Sequence, residues 1–376
     1  MESSTEMAAH YGASVPSQTR SVFTGKTQPR RVLLVKLSSL GDVVHALPLV
    51  AALREGLGPS AFIGWAVRES LAGLLQGNPH IDAVYPLKER GLRAAAVFGA
   101  ALRAEKFDVA LDAQGLFLSG VVTRSSGAPV RIGFDKNREG NRLFLTHPVV
   151  PGRTRIHMVE KLLGFCDALG VPNPHLPVPA QKYLADGEAG TAAQLMGSVG
   201  DSGMPCAGFV VGTSMADKSW PIERWAEAAG SLAGHGVRVI LMGGPGEEET
   251  GRAIARAAPQ GAIAVDLVGK TPLRILASVL ARCDVVVGGD TGPTHLAVAV
   301  GTSVVGLYGV SDPGHAGPYW GPAPSTYLDY VENEAPPEQR RLRHTTVPGA
   351  LRRIPADAVV ASVLKLLSES GKHTAR

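Results

Sequence analysis

The sequence predicts an α/β protein built from two successive doubly wound parallel sheets. Three observations carry that prediction. Short, nearly continuous apolar runs recur at strand length, as expected of strands covered on both faces. Helical stretches lie between them, so the connections are the crossovers that parallel strands require. The rhythm runs twice, with a pause between about 150 and 205. A length of 376 residues points the same way, at roughly 150 residues per domain.

In the first half the strands are RVLLVKL (31–37), AFIGWAV (61–67), IDAVYPL (81–87), FDVALDA (107–113) and VRIGF (130–134). VVHALPLVAALREGLG (43–58) and GLRAAAVFGAALRAEK (91–106) carry helical apolar spacing, the former ending in glycine. RTRIHMVEKLLGFCDALG (153–170) reads as a further helix with a glycine stop, and the Pro- and Gly-rich stretch after it reads as an interdomain connection. The second half repeats the pattern with strands GFVVGTS (208–214), VRVILMGG (237–244), IAVDLVG (263–269), DVVVGGD (284–290) and SVVGLYG (303–309). Its helices are 221–236, 247–258 and 272–283, and ADAVVASVLKLLSE (356–369) adds an amphipathic helix at the end. The expected domains are therefore a disordered tail at 1–28, one domain at 29–182, a second at 183–350, and a terminal segment at 351–376.

Composition narrows the function. Apolar residues at 45% and charged residues at 19% exclude a disordered chain. A net charge of +4 and 5% aromatics give neither the charge nor the stacking surface of a nucleic-acid binder. Cys166, Cys206 and Cys283 form no CxxC pair and no zinc spacing, so they read as buried thiols in a reducing compartment. The run 296–310 is interrupted at Gly301, Thr302 and Ser303, and the N-terminus has no apolar signal core. A cytoplasmic protein is expected.

In open α/β sheets ligands bind at the carboxyl ends of the strands, which directs attention to four loops. KLSSLGD (36–42) delivers Asp42 to a helix start, either as an N-cap or as a catalytic or ligand-binding carboxylate. GTSMADKSWP (212–221) offers Thr213, Ser214 and Lys218 at a strand-to-helix turn, an anion site or an ordinary polar loop. GGPGEEE (243–249) combines close backbone approach with a carboxylate that could meet a ribose, or simply turns the chain. GGDTGPTHLA (288–297) gathers Asp290, Thr291, Gly292 and His295 at a helix N-terminus, with His295 either functional or a satisfied core histidine. Neither G-x-G-x-x-G after the first strand nor a P-loop is present, which argues against a dehydrogenase and a nucleoside triphosphatase. No Asp-x-Asp occurs, so a nucleotide diphosphate would have to be neutralised by helix ends and Lys218; no metal is expected to be essential.

KLSSLGDVVHALPLVAALR, FDVALDAQGLFLSGVVTR, GTSMADKSWPIERW and DVVVGGDTGPTHLAVAVGTSVVGLYG, in that order, resemble glycosyltransferase family 9, the ADP-heptose:lipopolysaccharide heptosyltransferases. The first of them and the D-A-Q-G segment are most similar to the members that add the first heptose to Kdo. The resemblance implies the GT-B fold, two facing Rossmann-like domains with acceptor on the first and ADP-sugar on the second. It implies that Asp42 is the general base, with Lys218 beside the departing ADP. Donor contacts would come from Thr213, Ser214, Lys218, Asp290, Thr291, Gly292, His295, and Glu247 or its neighbour Glu248. Acceptor contacts would come from Ser38, Ser39, Gly41 and Gln114. Arg131, Lys136, Arg138 and Arg142, on and after VRIGF, form either a receiver for anionic Kdo and lipid A or a solvated basic face. The terminal helix would cross back to the first domain, and segment 323–350 fits no pattern of the family. The implied partners are ADP-heptose and a Kdo–lipid A acceptor, met by a monomer peripheral to the inner leaflet of the cytoplasmic membrane. A different transfer position or donor within the family, a sugar-nucleotide epimerase and a non-catalytic nucleotide-binding protein stand as alternatives.

Overall fold

The computed structural model describes residues 21–23, 28–136, 138–149, 157–174, 176–199, 203–213, 218–309, 311–330 and 349–371. The chain forms two compact units that part between His175 and Leu176. The expected boundary lay at 182. It falls earlier because the connecting residues bond into the second unit, Val178 N–H to the Trp320 carbonyl and Gln181 N–H to that of Ala299.

The first unit holds β1 (Arg31–Val35), β2 (Phe62–Arg68), β3 (Ala83–Leu87), β4 (Val109–Asp112), β5 (Val130–Phe134) and β6 (His147–Val149). They form one sheet of order β3-β2-β1-β4-β5-β6, parallel throughout. Val35 of β1 lies level with Ala66 of β2 and Asp112 of β4, so β1 and β4 end together and their loops leave from one edge. Leu33, Val35, Ala66, Phe107, Ala110 and Val122 pack as a closed core on one face. The helix expected over 43–58 is two, α1 (Leu40–His45) and α2 (Leu47–Leu57). Pro48 has no N–H to give the preceding turn, so the chain re-enters the helix at Leu47. Of the expected tail, Val22 is ordered, donating its N–H to the Ala168 carbonyl at 2.8 Å; residues 1–20 and 24–27 lie outside the described residues.

The second unit repeats the topology. Its strands are β7 (Cys206–Val210), β8 (Arg238–Met242), β9 (Ile263–Asp266), β10 (Val285–Gly289), β11 (Ser303–Tyr308) and β12 (Thr326–Asp329). The order β12-β11-β10-β7-β8-β9 is the same arrangement as in the first unit. Every residue of β7, β10 and β11 is buried, as the unbroken apolar runs require. Neither β6 nor β12 was expected from the sequence. Both are short edge strands, and β6 carries Pro148, which only an edge tolerates.

The terminal helix (Ala356–Glu369) does not follow the expected crossing. Val359, Val363, Leu366 and Leu367 belong to the core of the second unit, with Phe209, Trp225 and Leu232. Fully burying four such side chains stabilises that core by roughly 1.5–3 kcal/mol each. No helix among the described residues is long and apolar enough to cross a membrane.

Candidate active site

In each sheet the strand order reverses between its two central strands, and the loops leaving those strands part to either side of a crevice. In the first unit these are the loops after β1 and β4. Ser39 is the N-cap of α1 and Asp42 stands three residues in, so the N-cap role the sequence offered for Asp42 belongs to Ser39. The Asp42 carboxylate reaches back to it. Oδ2 accepts from the Ser39 N–H at 3.0 Å and from its hydroxyl at 2.8 Å, while Oδ1 accepts from Lys36 Nζ at 2.9 Å. Burial alone would raise the Asp42 carboxyl; the Lys36 ammonium and the Ser39 donors outweigh it and hold it below the ordinary aspartate range.

The loop after β4 is built on Asp112, which is fully buried. Its carboxylate accepts from Gly115 N–H at 2.9 Å, Gln114 N–H at 3.1 Å, Ser119 Oγ at 3.1 Å and Asn141 Nδ2 at 2.7 Å. This turn aims Gln114 Oε1 at the N–H groups of Leu37 and Ser38, both at 3.0 Å, so the two loops are tied together. Gly41 is buried inside α1.

The expected basic receiver divides. The Arg138 N–H bonds the Gly115 carbonyl at 3.3 Å, which brings it to the loop after β4. Lys161, on the helix Met158–Leu169, joins it: burial and the charges of Lys36 and Arg138 push its ammonium down. Lys136 is exposed, and Arg142 pairs with Asp135 at 3.1 Å in the open. Arg131 goes elsewhere. Its guanidinium donates to the carbonyls of Ala128 and Phe144 at 2.9 and 2.7 Å, at the start of β5 and away from the strand's carboxyl end.

In the second unit the corresponding loops follow β7 and β10. Lys218 Nζ pairs with Asp290 Oδ2 at 2.7 Å, and His295 Nε2 lies 3.0 Å from Asp290 Oδ1. Burial opposes ionisation of Asp290, but His295 and Lys218 hold its carboxyl far below the ordinary range. His295 is itself buried, so its ring serves Asp290. Thr291 caps the helix Gly292–Val300 and its hydroxyl meets that of Thr294 at 3.1 Å. Gly288 lets this helix descend onto the strand ends, since a Cβ there would strike the Thr294 hydroxyl. Glu247 folds over Gly212, Gly243 and Gly244, accepting from Gly244 N–H at 2.5 Å, whereas Glu248 turns to Gly246. Of the two glutamates only Glu247 therefore reaches the ends of β7 and β8. Thr213 lies three residues past the end of β7; Ser214 lies outside the described residues.

The sequence reading passed over Lys36, Asp112 and Lys161. Lys36 had a signal, a charge closing an otherwise apolar strand. Asp112 opens the D-A-Q-G segment, which marked the loop but not the role of its carboxylate; Lys161 had no signal, because its partners come from other elements. Among the described residues no group of three or more His, Cys, Asp or Glu side chains is placed to hold a metal ion.

Chemically, then, the first unit presents an ionised carboxylate beside a set of cations, and the second an ammonium and a helix N-terminus, a setting for polyanions. Comparison with known proteins agrees. Residues 96–342 match the family described as glycosyltransferase family 9 (heptosyltransferase). Lipopolysaccharide heptosyltransferase 1 of Escherichia coli strain K12 is 30% identical over 305 residues, covering 77% of this chain and 91% of that protein. Its namesake in Pseudomonas aeruginosa PAO1 is 32% identical over 305 residues, covering 77% and 81%. The solved structure of E. coli heptosyltransferase WaaC with ADP superposes with a TM-score of 0.67 at 29% identity, covering 91% of this chain and 99% of that one. The two six-stranded parallel sheets are those of the GT-B class, and the chain belongs to glycosyltransferase family 9, the heptosyltransferases.

Proposed function

We propose that this protein acts in lipopolysaccharide core biosynthesis, moving L-glycero-D-manno-heptose from ADP-heptose to a Kdo residue of the lipid A–inner core, with inversion at the anomeric carbon. The observation that carries the reading is Asp42, an ionised, partly exposed carboxylate at the strand-order reversal of the first unit. The acceptor oxygen attacks the anomeric carbon from the face opposite ADP. As that bond forms, the bond from the anomeric carbon to the diphosphate oxygen breaks and its electron pair leaves with ADP. The hydroxyl proton passes to Asp42, a general-base step worth about 10²–10⁴ in rate.

Asp42 is a weak base before reaction, since Lys36 stabilises its charge. The hydroxyl becomes strongly acidic only as its oxygen bonds to carbon, so a weak base suffices late in the step. Arg138 and Lys161 support an acidic acceptor. Lys218 and the N-terminus of the helix Gly292–Val300 meet the charge growing on the diphosphate. Thr213, Ser214, Asp290, Thr291 and Glu247 complete the donor side in this reading, and Ser38, Ser39, Gly41, Gln114, Lys136 and Arg142 the acceptor side. The protein would work in the cytoplasm as a monomer, peripheral to the inner membrane leaflet where the acceptor is embedded.

The test is turnover with ADP-heptose and either Kdo–lipid A or an acceptor already carrying one heptose, followed by mass spectrometry. A gain of one heptose on Kdo–lipid A supports the proposal; turnover only with the heptosylated acceptor moves the enzyme to a later core position. Asp42→Asn is expected to fold, bind ADP-heptose and lose most of its kcat.

A further inference from the structure

Lys36 is an unusual residue for its place. It follows directly on the last residue of β1, a central strand of the first sheet, and is only 3% exposed. Its backbone is fixed on both sides, N–H to the Ala66 carbonyl at 3.2 Å and carbonyl to Trp65 Nε1 at 3.1 Å. A buried ammonium is costly without a partner, and here the paired carboxylate is that of Asp42.

The pairing distinguishes the two oxygens of Asp42. A carboxylate has about four lone-pair sites, two on each oxygen. Oδ2 spends both on Ser39, the N–H and the hydroxyl. Oδ1 spends one on Lys36 and keeps one. The oxygen that can still accept a proton is thus the one the ammonium already holds.

We propose that Lys36 is a positioning residue for the transfer reaction, its ammonium aiming Asp42 Oδ1 at the acceptor hydroxyl and balancing the Asp42 charge until the proton arrives. This rests on Asp42 being the general base and goes beyond it, naming the oxygen that receives the proton and the group that times its arrival. While Lys36 is charged, Asp42 is not protonated in the resting enzyme, so it stays competent in mildly acidic solution. Once the proton lands on Oδ1, the buried ammonium has lost its counter-charge, and the pair expels the proton again after the product leaves. The other charges around this pair are Lys161 from the helix Met158–Leu169 and, acting on Lys161, Arg138 from the loop after β5. Both are basic, as Lys36 is. His45 lies on the helix of Asp42 and stacks edge-on with His157 at 5.4 Å between ring centroids.

The experiment compares wild type, Lys36→Met and Lys36→Arg. Methionine fills the buried stem without the charge; arginine keeps the charge. The first readout needs no turnover: the ¹³C-carboxyl resonance of Asp42, assigned through Asp42→Asn, is followed against pH in the intact protein. Its midpoint is expected to rise by about one pH unit or more in Lys36→Met and to fall back in Lys36→Arg. The second is the pH profile of kcat for heptosyl transfer, whose acidic limb should move with that midpoint while the donor KM is unchanged. An Asp42 midpoint that ignores Lys36→Met overturns the proposal. So does a loss of kcat with an unmoved acidic limb, which would make Lys36 structural only. If wild type shows the low midpoint and no heptosyl transfer, the functional reading has failed while the Lys36–Asp42 coupling stands.

Discussion

Asp290→Asn replaces one oxygen of a carboxylate held between the Lys218 ammonium and the His295 ring by an NH2 group of nearly the same shape. Packing is conserved, so the effect is electrostatic. Asp290 keeps 15% of its side chain in water and Lys218 keeps 20%, which makes this a largely buried pair. Removing one partner of a buried pair costs 3–5 kcal/mol; with the lysine still able to reach solvent, about 3 kcal/mol is expected. At 2–4 °C per kcal/mol for a unit of this size, the melting temperature of the second unit should fall by roughly 6–12 °C at pH 7. The pH dependence has a definite sign. The carboxyl lies below its unfolded value, so its stabilisation is complete above the ordinary aspartate pKa of 3.8 and fades as pH falls toward the folded value. Differential scanning calorimetry of wild type and Asp290→Asn at pH 7 and again below pH 3.8 measures both. The gap between the two proteins should narrow in acid. A gap under 2 °C at pH 7, or one that widens in acid, would refute the view that His295 and Lys218 are spent on this carboxylate.

Three further outcomes are expected. Lys218→Ala should lower kcat/KM by on the order of 10² with the fold retained, in assays at subsaturating donor, because the ammonium meets charge that develops as ADP departs. Gly212→Ala places a Cβ against the flexible carboxylate of Glu247, so the melting temperature should move little while the KM for ADP-heptose rises several-fold; an unchanged KM would remove Glu247 from the donor site. Turnover in EDTA should match turnover without it, since the proposed neutralisation of the diphosphate rests on Lys218 and a helix N-terminus; loss in chelator, restored by Mg²⁺ or Mn²⁺, would contradict that.

The central strands were legible because burial on both faces leaves no room for polar residues: RVLLVKL and DVVVGGD can hardly be anything else. The edge strands were not. HPV pairs with a single neighbour and TYLD is half open, so neither needs an apolar run. The loops of Asp42, Lys218 and Asp290 were legible through strand-to-helix turn chemistry, which is local. What escaped was how those residues use one another. The Lys218–Asp290 pair joins positions 72 residues apart, and the Asp112–Asn141 bond spans 29. Sequence spacing carries no trace of either. Arg131 shows the converse: its charge suggested a ligand, yet the nearby carbonyls of Ala128 and Phe144 had the stronger claim on its fork of donors.

The position of the last helix has a consequence for how the chain is made. Everything the first sheet needs, from Arg31 to Val149, has left the ribosome long before that helix is made. Domains that emerge whole can fold as they emerge. The second sheet cannot be sealed in that way. Val359, Val363 and Leu367 are part of its core, and they are made only after the strands they cover. Until that helix has emerged the strands around Phe209 and Val287 therefore lack one wall. The newborn protein would spend that interval with one half finished and the other showing apolar surface to whatever binds unfolded chains.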